Sequence, residues 1–376
     1  MDGISSSART WAEIDLGNLL HNFKLAKECK KPVMCVIKAD AYGHGAVRCG
    51  RFLEENGADA FAVACLAEAV ELRDGGVTKP ILILGYTAAE YAGILAKRSI
   101  VQTLVDESHA LEMSAAATAA GASVECHIKL DTGMSRAGLF AQGADAAHEA
   151  ALAAERMMKL PGLNVTGMYT HFAVADTPGE DDYTAWQLAN YNTVLGELTK
   201  KGLRPETCHT SNSAGILYHP ETVVDMVREG IMLYGLYPDS APQSGPLKPV
   251  MTLRTRVSQV RDFPADTTVS YGRTFRGSEP FTTAVMLAGY ADGYPRRLSG
   301  NTSVTINGEK YPQAGRICMD MSMALVDKTK VKRGDIVTLV GGDSITWEEA
   351  AGKVGTINYE LTCLVTARAE RIYVNG

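Results

Sequence analysis

The sequence predicts an α/β protein in two parts, an N-terminal (β/α)8 TIM barrel over residues 10–240 and a mainly-β domain over 245–376, with residues 1–14 packing on the second part. Three observations carry this. Between residues 33 and 231, eight short apolar runs alternate with stretches able to hold helices, and eight βα units point to a closed parallel barrel. After Gly235 the texture changes: YPDSAPQSGPLKP, residues 237–249, concentrates Pro, Gly and Ser as an interdomain linker does. Beyond it, strand-like runs recur at short spacing with an Asn307-Gly308 turn signal between two of them.

The elements follow in order. Thr10–Asp15 reads as a short strand, and Asp15 then caps an amphipathic helix carrying Leu16, Leu19, Leu20 and Phe23 on one side. The barrel strands are Val33–Ile37, Ala60–Cys65, Pro80–Gly85, Ile100–Val105, Val124–Leu130, Val165–Tyr169, Glu206–Ser211 and Val223–Arg228. Helices are expected over Glu107–Ala120, stopped by Gly121, and over Asp145–Lys159, ending before Pro161-Gly162. The second domain offers Val250–Val260, Thr267–Tyr271, Thr283–Ala288, Thr302–Ile306, Met323–Val326, Ile336–Val340 and Arg371–Val374 as strands. One helix opens at Thr346, where Glu349 three residues on completes a capping box.

Composition narrows the function. The 376 residues are 46% hydrophobic and 21% charged with a net charge of -6, which gives no reason to expect nucleic acid or an anionic membrane as partner. No apolar run approaches the roughly 20 residues of a membrane span. The N-terminus, MDGISSSARTWAEID, lacks the order of a secretory signal, so a cytoplasmic location is expected. The 8 cysteines form no C-x-x-C pair and read as buried free thiols, several of them in strand-like runs (Cys35, Cys65, Cys126). The 8 histidines show no metal-ligand spacing, and no metal is expected.

The chemistry-bearing residues fall at strand C-terminal ends, the barrel face where active sites are built. Lys38, in VIKADAYGHG, ends the first strand; partial burial and cationic neighbours lower a lysine pKa and free its amine to attack a carbonyl. HIKLDTGMSRAG follows strand five, THFAVAD strand six, HTSNSAG strand seven and VREGIMLYG strand eight. Asn212, Ser213, Gly230 and Ile231 offer hydroxyl, amide and backbone N–H donors where barrel enzymes often hold phosphate, although Ser, Asn and Gly also simply build turns. In the second domain VSYGRTF carries Tyr271, GYADGYPR carries Tyr290, Asp292 and Tyr294, and AGRICMDMS carries Arg316, Cys318, Met319 and Asp320. These polar, Gly-rich segments suggest a surface that meets another part of the protein.

With these motifs in order, from TWAEIDLGNLLHNF to INYELTC, the chain resembles the alanine racemases, enzymes dependent on pyridoxal 5'-phosphate (PLP). The resemblance implies that L- and D-alanine are interconverted by two bases, to supply D-alanine for cell-wall peptidoglycan. It implies that Lys38 binds PLP covalently and is one base, and that Tyr271 is the other, contributed by the second subunit of a homodimer. Arg228 would face the pyridine nitrogen with His171 hydrogen-bonded to it, while Tyr42, Ser213, Gly230, Ile231 and Tyr359 would surround the phosphate. Arg136 and Met319 would position the substrate carboxylate, Met319 crossing from the partner chain, with Tyr290 also on the substrate. Lys129 resembles the family lysine that is carbamylated beside Arg136.

The residue types suit that task. Racemisation needs a proton taken from one face of Cα and another returned to the opposite face, hence two bases. A tyrosine base needs cationic or hydrogen-bonding neighbours. An arginine at the pyridine nitrogen disfavours a cationic ring, which limits reprotonation at the cofactor and suppresses transamination. Lys129 beside Arg136 would repel it, whereas a carbamate turns the pair into a salt bridge. The tail ARAERIYVNG, with Ala369-Glu370, departs from the family's Arg-x-Pro-Arg pattern and resembles serine-racemising relatives, so a serine or broad small-amino-acid racemase is the first alternative. A PLP-dependent decarboxylase using Cys318 as general acid, and a non-catalytic PLP-binding protein, are the others.

Overall fold

The computed structural model describes residues 8–238 and 245–376; the linker expected at 237–249 and the N-terminal stretch therefore lie partly outside the described residues. Eight parallel strands run in order Val227–Glu229, Val33–Val36, Ala60–Val63, Ile81–Ile83, Ile100–Leu104, Val124–Asp131, Leu163–Tyr169 and Thr207–His209. No ladder joins the first and last of these; the gap is bridged by Arg228 N–H donating to the Ser211 carbonyl and Asp225 N–H to Cys208, both at 3.0 Å. The strands Val33–Val36, Ala60–Val63 and Ile81–Ile83 are buried along their whole length, which is why they read as unbroken apolar runs.

The strand ends differ from expectation where the chain turns into the site. The first strand stops at Val36, two residues short of Lys38. The eighth spans Val227–Glu229 instead of Val223–Arg228, because Pro220–Thr222 forms a 3-10 turn and the ladder begins only after it. Cys65 is exposed, contrary to the buried-thiol reading: it is the cap residue of the helix Leu66–Asp74. Cys363 is exposed too, while Cys35, Cys49, Cys126 and Cys208 are buried thiols.

Helix signals held locally. Asp15 Oδ1 accepts from Asn18 N–H at 2.9 Å to start Leu16–Lys27, whose Leu16, Leu19 and Phe23 are buried. Helices cover Glu107–Ala119 and Ala144–Met158. Thr346 Oγ1 accepts from Glu349 N–H at 3.0 Å while the Glu349 carboxylate accepts from Thr346 N–H at 2.9 Å, a complete capping box.

The second domain is built on the long strand Met251–Phe263, which pairs with Ile336–Val340, Phe281–Met286 and Thr10–Asp15. Thr10–Asp15 also pairs in parallel with Glu370–Val374, so both ends of the described chain meet in one sheet. Asn307 and Gly308 adopt φ of +51° and +80° and join Ser303–Ile306 to Glu309–Pro312 as a tight hairpin. The segment expected as a strand over Thr267–Tyr271 is a strand only at Thr268–Val269; Ser270 then turns at φ +66° into a 3-10 turn at Tyr271–Arg273. Trp11, Trp347, Tyr234 and Tyr294 fill the interior at 1% exposure or less.

Candidate active site

Lys38 opens a single turn of left-handed helix. Ala39, Asp40, Ala41 and Tyr42 all have φ between +51° and +55°, a conformation costing L-residues roughly 1–2 kcal/mol each. Tertiary contacts hold it. Asp40 Oδ1 accepts from Ala46 N–H at 2.8 Å, and His44 Nδ1–H donates to the carbonyls of Ala41 and Tyr42 at 2.9 and 3.0 Å. From the β domain, Arg371 Nε donates to the Gly43 carbonyl at 3.0 Å and the Tyr373 hydroxyl to the His44 carbonyl at 3.1 Å. Gly43 sits at φ +84° with the Thr362 carbonyl where a Cβ would be, 2.2 Å away, so no larger residue fits.

The turn aims at a cavity of about 600 Å³ at the C-terminal end of the barrel strands. Lys38, Tyr42, Lys129, Arg136, His171, Ser213, Arg228, Gly230, Ile231 and Tyr359 all line it. Burial, then the positive Arg136, lower the Lys38 amine from its ordinary range. Lys129 lies well below its own, driven first by burial and then by Arg228 and Arg136; among the described residues its Nζ has no hydrogen-bond partner. It sits 4.9 Å from the Tyr169 ring centroid.

Arg228 is the best-held cation. Nη1 donates to the His209 carbonyl at 2.8 Å and to its Nδ1 at 2.9 Å; Nη2 donates to the carbonyls of Thr170 and Thr210 at 2.7 and 2.8 Å and lies 3.4 Å from His171 Nδ1. The described residues supply no acceptor to Nε, the donor left for a group in the cavity. Burial lowers the guanidinium to about 10, and burial with Arg228 beside it keeps His171 neutral, well below the usual imidazole range.

A hydroxyl cradle lies across the cavity. Ser213 Oγ accepts from Gly230 N–H at 3.0 Å and Met232 N–H at 3.3 Å. A Cβ on Gly230 would stand 3.4 Å from both this hydroxyl and that of Tyr42, so glycine keeps the space between them open. Burial pushes the Tyr42 phenol up, which keeps it a proton donor. Donors of this kind fit a phosphate, the unpaired Arg228 Nε fits a pyridine nitrogen, and the Lys38 amine fits an aldehyde. The residues present therefore fit PLP.

Tyr271, Met319 and Tyr290 are elsewhere. Tyr271 is 71% exposed and Met319 52%, and the two share a second pocket of about 550 Å³ on the β domain with Phe263, Val269 and Cys318. Tyr290 is 41% exposed and lines neither pocket. The sequence reading missed His127 and His209, which stand behind Arg228 with His127 Nδ1 2.9 Å from His209 Nε2. The signal was present: His127 lies two residues before Lys129, on the same face of its strand.

A family model described as "Alanine racemase, N-terminal domain" matches residues 14–238, and one described as "Alanine racemase, C-terminal domain" matches 250–373. An alanine racemase of Carboxydothermus hydrogenoformans is 42% identical over 97% of this chain and 99% of that protein. The structure of an alanine racemase from Clostridium difficile superposes at a TM-score of 0.92 with 37% identity, over 98% of this chain and 96% of that one. A histidine racemase of Leuconostoc mesenteroides superposes at 0.89 with 28% identity, over 98% and 99% of the two chains.

Proposed function

The chain belongs to the alanine racemase family, and on that premise we propose that it interconverts L- and D-alanine, with Lys38 serving one face of the substrate Cα and Tyr271 of a second copy serving the other. The observation that carries this reading is the cavity itself, which gathers a lysine amine of lowered pKa, a buried arginine with one donor unspent and a hydroxyl cradle.

PLP, when bound, withdraws electrons from the substrate Cα and so makes its proton removable. Ser213, Tyr42 and the Gly230–Ile231 backbone would hold the phosphate, with Tyr359 beside them. Arg228 would donate from Nε to the ring nitrogen, and its permanent charge keeps a proton off that nitrogen. His171, neutral and 3.4 Å from Nη2, helps fix the guanidinium's plane. Arg136 would bind the substrate carboxylate. Lys38 would take or return the proton on its face of Cα.

Of the groups lining this cavity, Lys38 is the one assigned to proton transfer. Racemisation needs a second from the opposite side, and Tyr271 with Met319 and Tyr290 is presented on an exposed surface suited to reach a second copy. A homodimer with shared sites follows. Lys129 completes the reading: its amine, of lowered pKa and without a hydrogen-bond partner among the described residues, would add to CO2, forming an N–C bond as a C=O π bond opens and releasing a proton to solvent, and the resulting carbamate would pair with Arg136. The proposed setting is the cytoplasm, supplying D-alanine for peptidoglycan; among the described residues no helix is long and apolar enough to cross a membrane.

The test is to incubate the protein with PLP and L-alanine in deuterium oxide and follow both enantiomers and Cα deuteration. D-alanine carrying deuterium at Cα is the expected result. Deuteration without inversion would leave a one-base site, and neither signal with PLP bound would remove the racemase reading. Parallel runs with L-serine and L-histidine rank the substrates.

A further inference from the structure

The carboxylate of Glu68 sits where the first two barrel strands part. Ile37 N–H still bonds the Ala62 carbonyl at 2.9 Å, but beyond it the left-handed turn carries the first strand away. A continued parallel ladder would use the N–H groups of Ala39 and Ala64 across that gap. Instead Ala39 N–H donates to Glu68 Oε1 at 2.8 Å and Ala64 N–H donates to Oε2 at 2.7 Å. One carboxylate thus closes the fork with one oxygen on each strand. Ala39 directly follows Lys38, and both alanines line the cavity.

We propose that Glu68 is a positioning residue for Lys38: by bridging the ends of the first two barrel strands it fixes where the Lys38 side chain enters the cavity. This rests on the reading of Lys38 as the reactive amine. Glu68 lies in the first turn of the helix Leu66–Asp74, where a carboxylate is favourable in any case. A helix-end role would need neither strand. The bidentate contact needs both, and it ties the helix to two strand ends at once. The same negative charge opposes the lowering of the Lys38 amine by burial and Arg136.

The experiment compares the full-length protein with Glu68→Gln, Glu68→Asp and, as a control one turn on, Glu71→Gln. Hydrogen exchange is read at the Ala39 and Ala64 amides, and Lys38 is labelled without PLP by an amine-selective anhydride across pH. An amide side chain offers one acceptor where the carboxylate offers two, so Glu68→Gln should leave one of the two amides unpaired and speed its exchange about tenfold. It should also move the Lys38 labelling midpoint down by about half a pH unit, because an opposing negative charge is gone. Glu68→Asp, which keeps the charge on a shorter arm, should hold the midpoint near the parent's while exchange rises. Unchanged exchange at both amides, or a labelling curve that overlays the parent's, overturns the proposal and leaves Glu68 as a helix-end residue. PLP absorbance of the parent is recorded separately. Its failure to appear would remove the cofactor reading while leaving the exchange result to stand or fall alone.

Discussion

The Arg228 guanidinium stands 2.9 Å from Nδ1 of His209, and this contact fixes the tautomer of two imidazoles. Arginine only donates, so His209 Nδ1 is the acceptor and its proton lies on Nε2. Nε2 in turn donates to His127 Nδ1 at 2.9 Å, placing the His127 proton on its own Nε2. Tyr169 stacks on His209 with centroids 4.8 Å apart, so the ring has little freedom to turn. The charge at the cavity floor is thus oriented by a chain of neutral rings.

That chain makes stability sensitive to acid. Burial, and then Arg228, lower His127 to about 4 and His209 well below its ordinary value. The unfolded chain takes up these protons near pH 6.5, whereas folded His127 refuses its proton until about pH 4 and His209 also holds out below its ordinary range, so the stabilisation is present above pH 6.5 and is lost as pH falls below it. Urea unfolding across this range should show a slope of up to about 1.4 kcal/mol per pH unit for each ring. His127→Asn should reduce the slope by one proton. His209→Leu should cost about 1–3 kcal/mol at neutral pH by orphaning a charged donor.

Sharing of the site between copies is checked by complementation. Lys38→Ala and Tyr271→Phe homodimers should each lose about 10²–10⁴-fold in kcat. Heterodimers formed by unfolding and refolding the two together should recover one working site. Verified heterodimers with no recovery would place both bases in one chain's cavity.

Lys129 should carry CO2. Protein prepared with isotopically labelled bicarbonate should show a carbamate carbonyl resonance, absent in Lys129→Ala and lost on acidification. Lys129→Ala should raise KM for alanine more than it lowers kcat, because its partner Arg136 is assigned to substrate binding rather than to the proton transfer.

Glu229 should be a stability liability. It is fully buried, and among the described residues neither carboxylate oxygen has a partner. Burial raises its carboxyl well above the usual range. The folded chain keeps a proton that the unfolded chain releases above about pH 4.3, so this residue's contribution is most favourable below that pH and declines as pH rises towards the folded pKa. Glu229→Gln should flatten that decline, and Glu229→Leu should raise neutral-pH stability by about 1–3 kcal/mol. Urea midpoints across pH read both.

What the sequence revealed and what it hid divide along local and non-local lines. The barrel was legible because its first strands are buried throughout and read as apolar runs, and the Thr346 helix because its cap and Glu349 lie three residues apart. The left-handed turn was not. Ala39 to Tyr42 contains no glycine, and its geometry is held by Asp40 reaching forward to Ala46 and by His44, Arg371 and Tyr373 from outside the turn. Glu309–Pro312 escaped because a charged, proline-bearing edge strand has no apolar signature. The Lys38 cavity gathers every residue expected at the cofactor, whereas Tyr271, Met319 and Tyr290 lie exposed and outside it.

The contacts of Arg371 and Tyr373 with the Lys38 turn set an order of events during synthesis. Gly43 and Arg371 are 328 residues apart, so a chain still on the ribosome has made every barrel strand long before it makes the groups that hold the turn. Until then the Lys38 turn keeps only its contacts within the barrel, those of Asp40, His44 and Glu68. The turn reaches its full set of contacts only once the β domain has folded against the barrel, so the last residues made complete a structure begun by nearly the first.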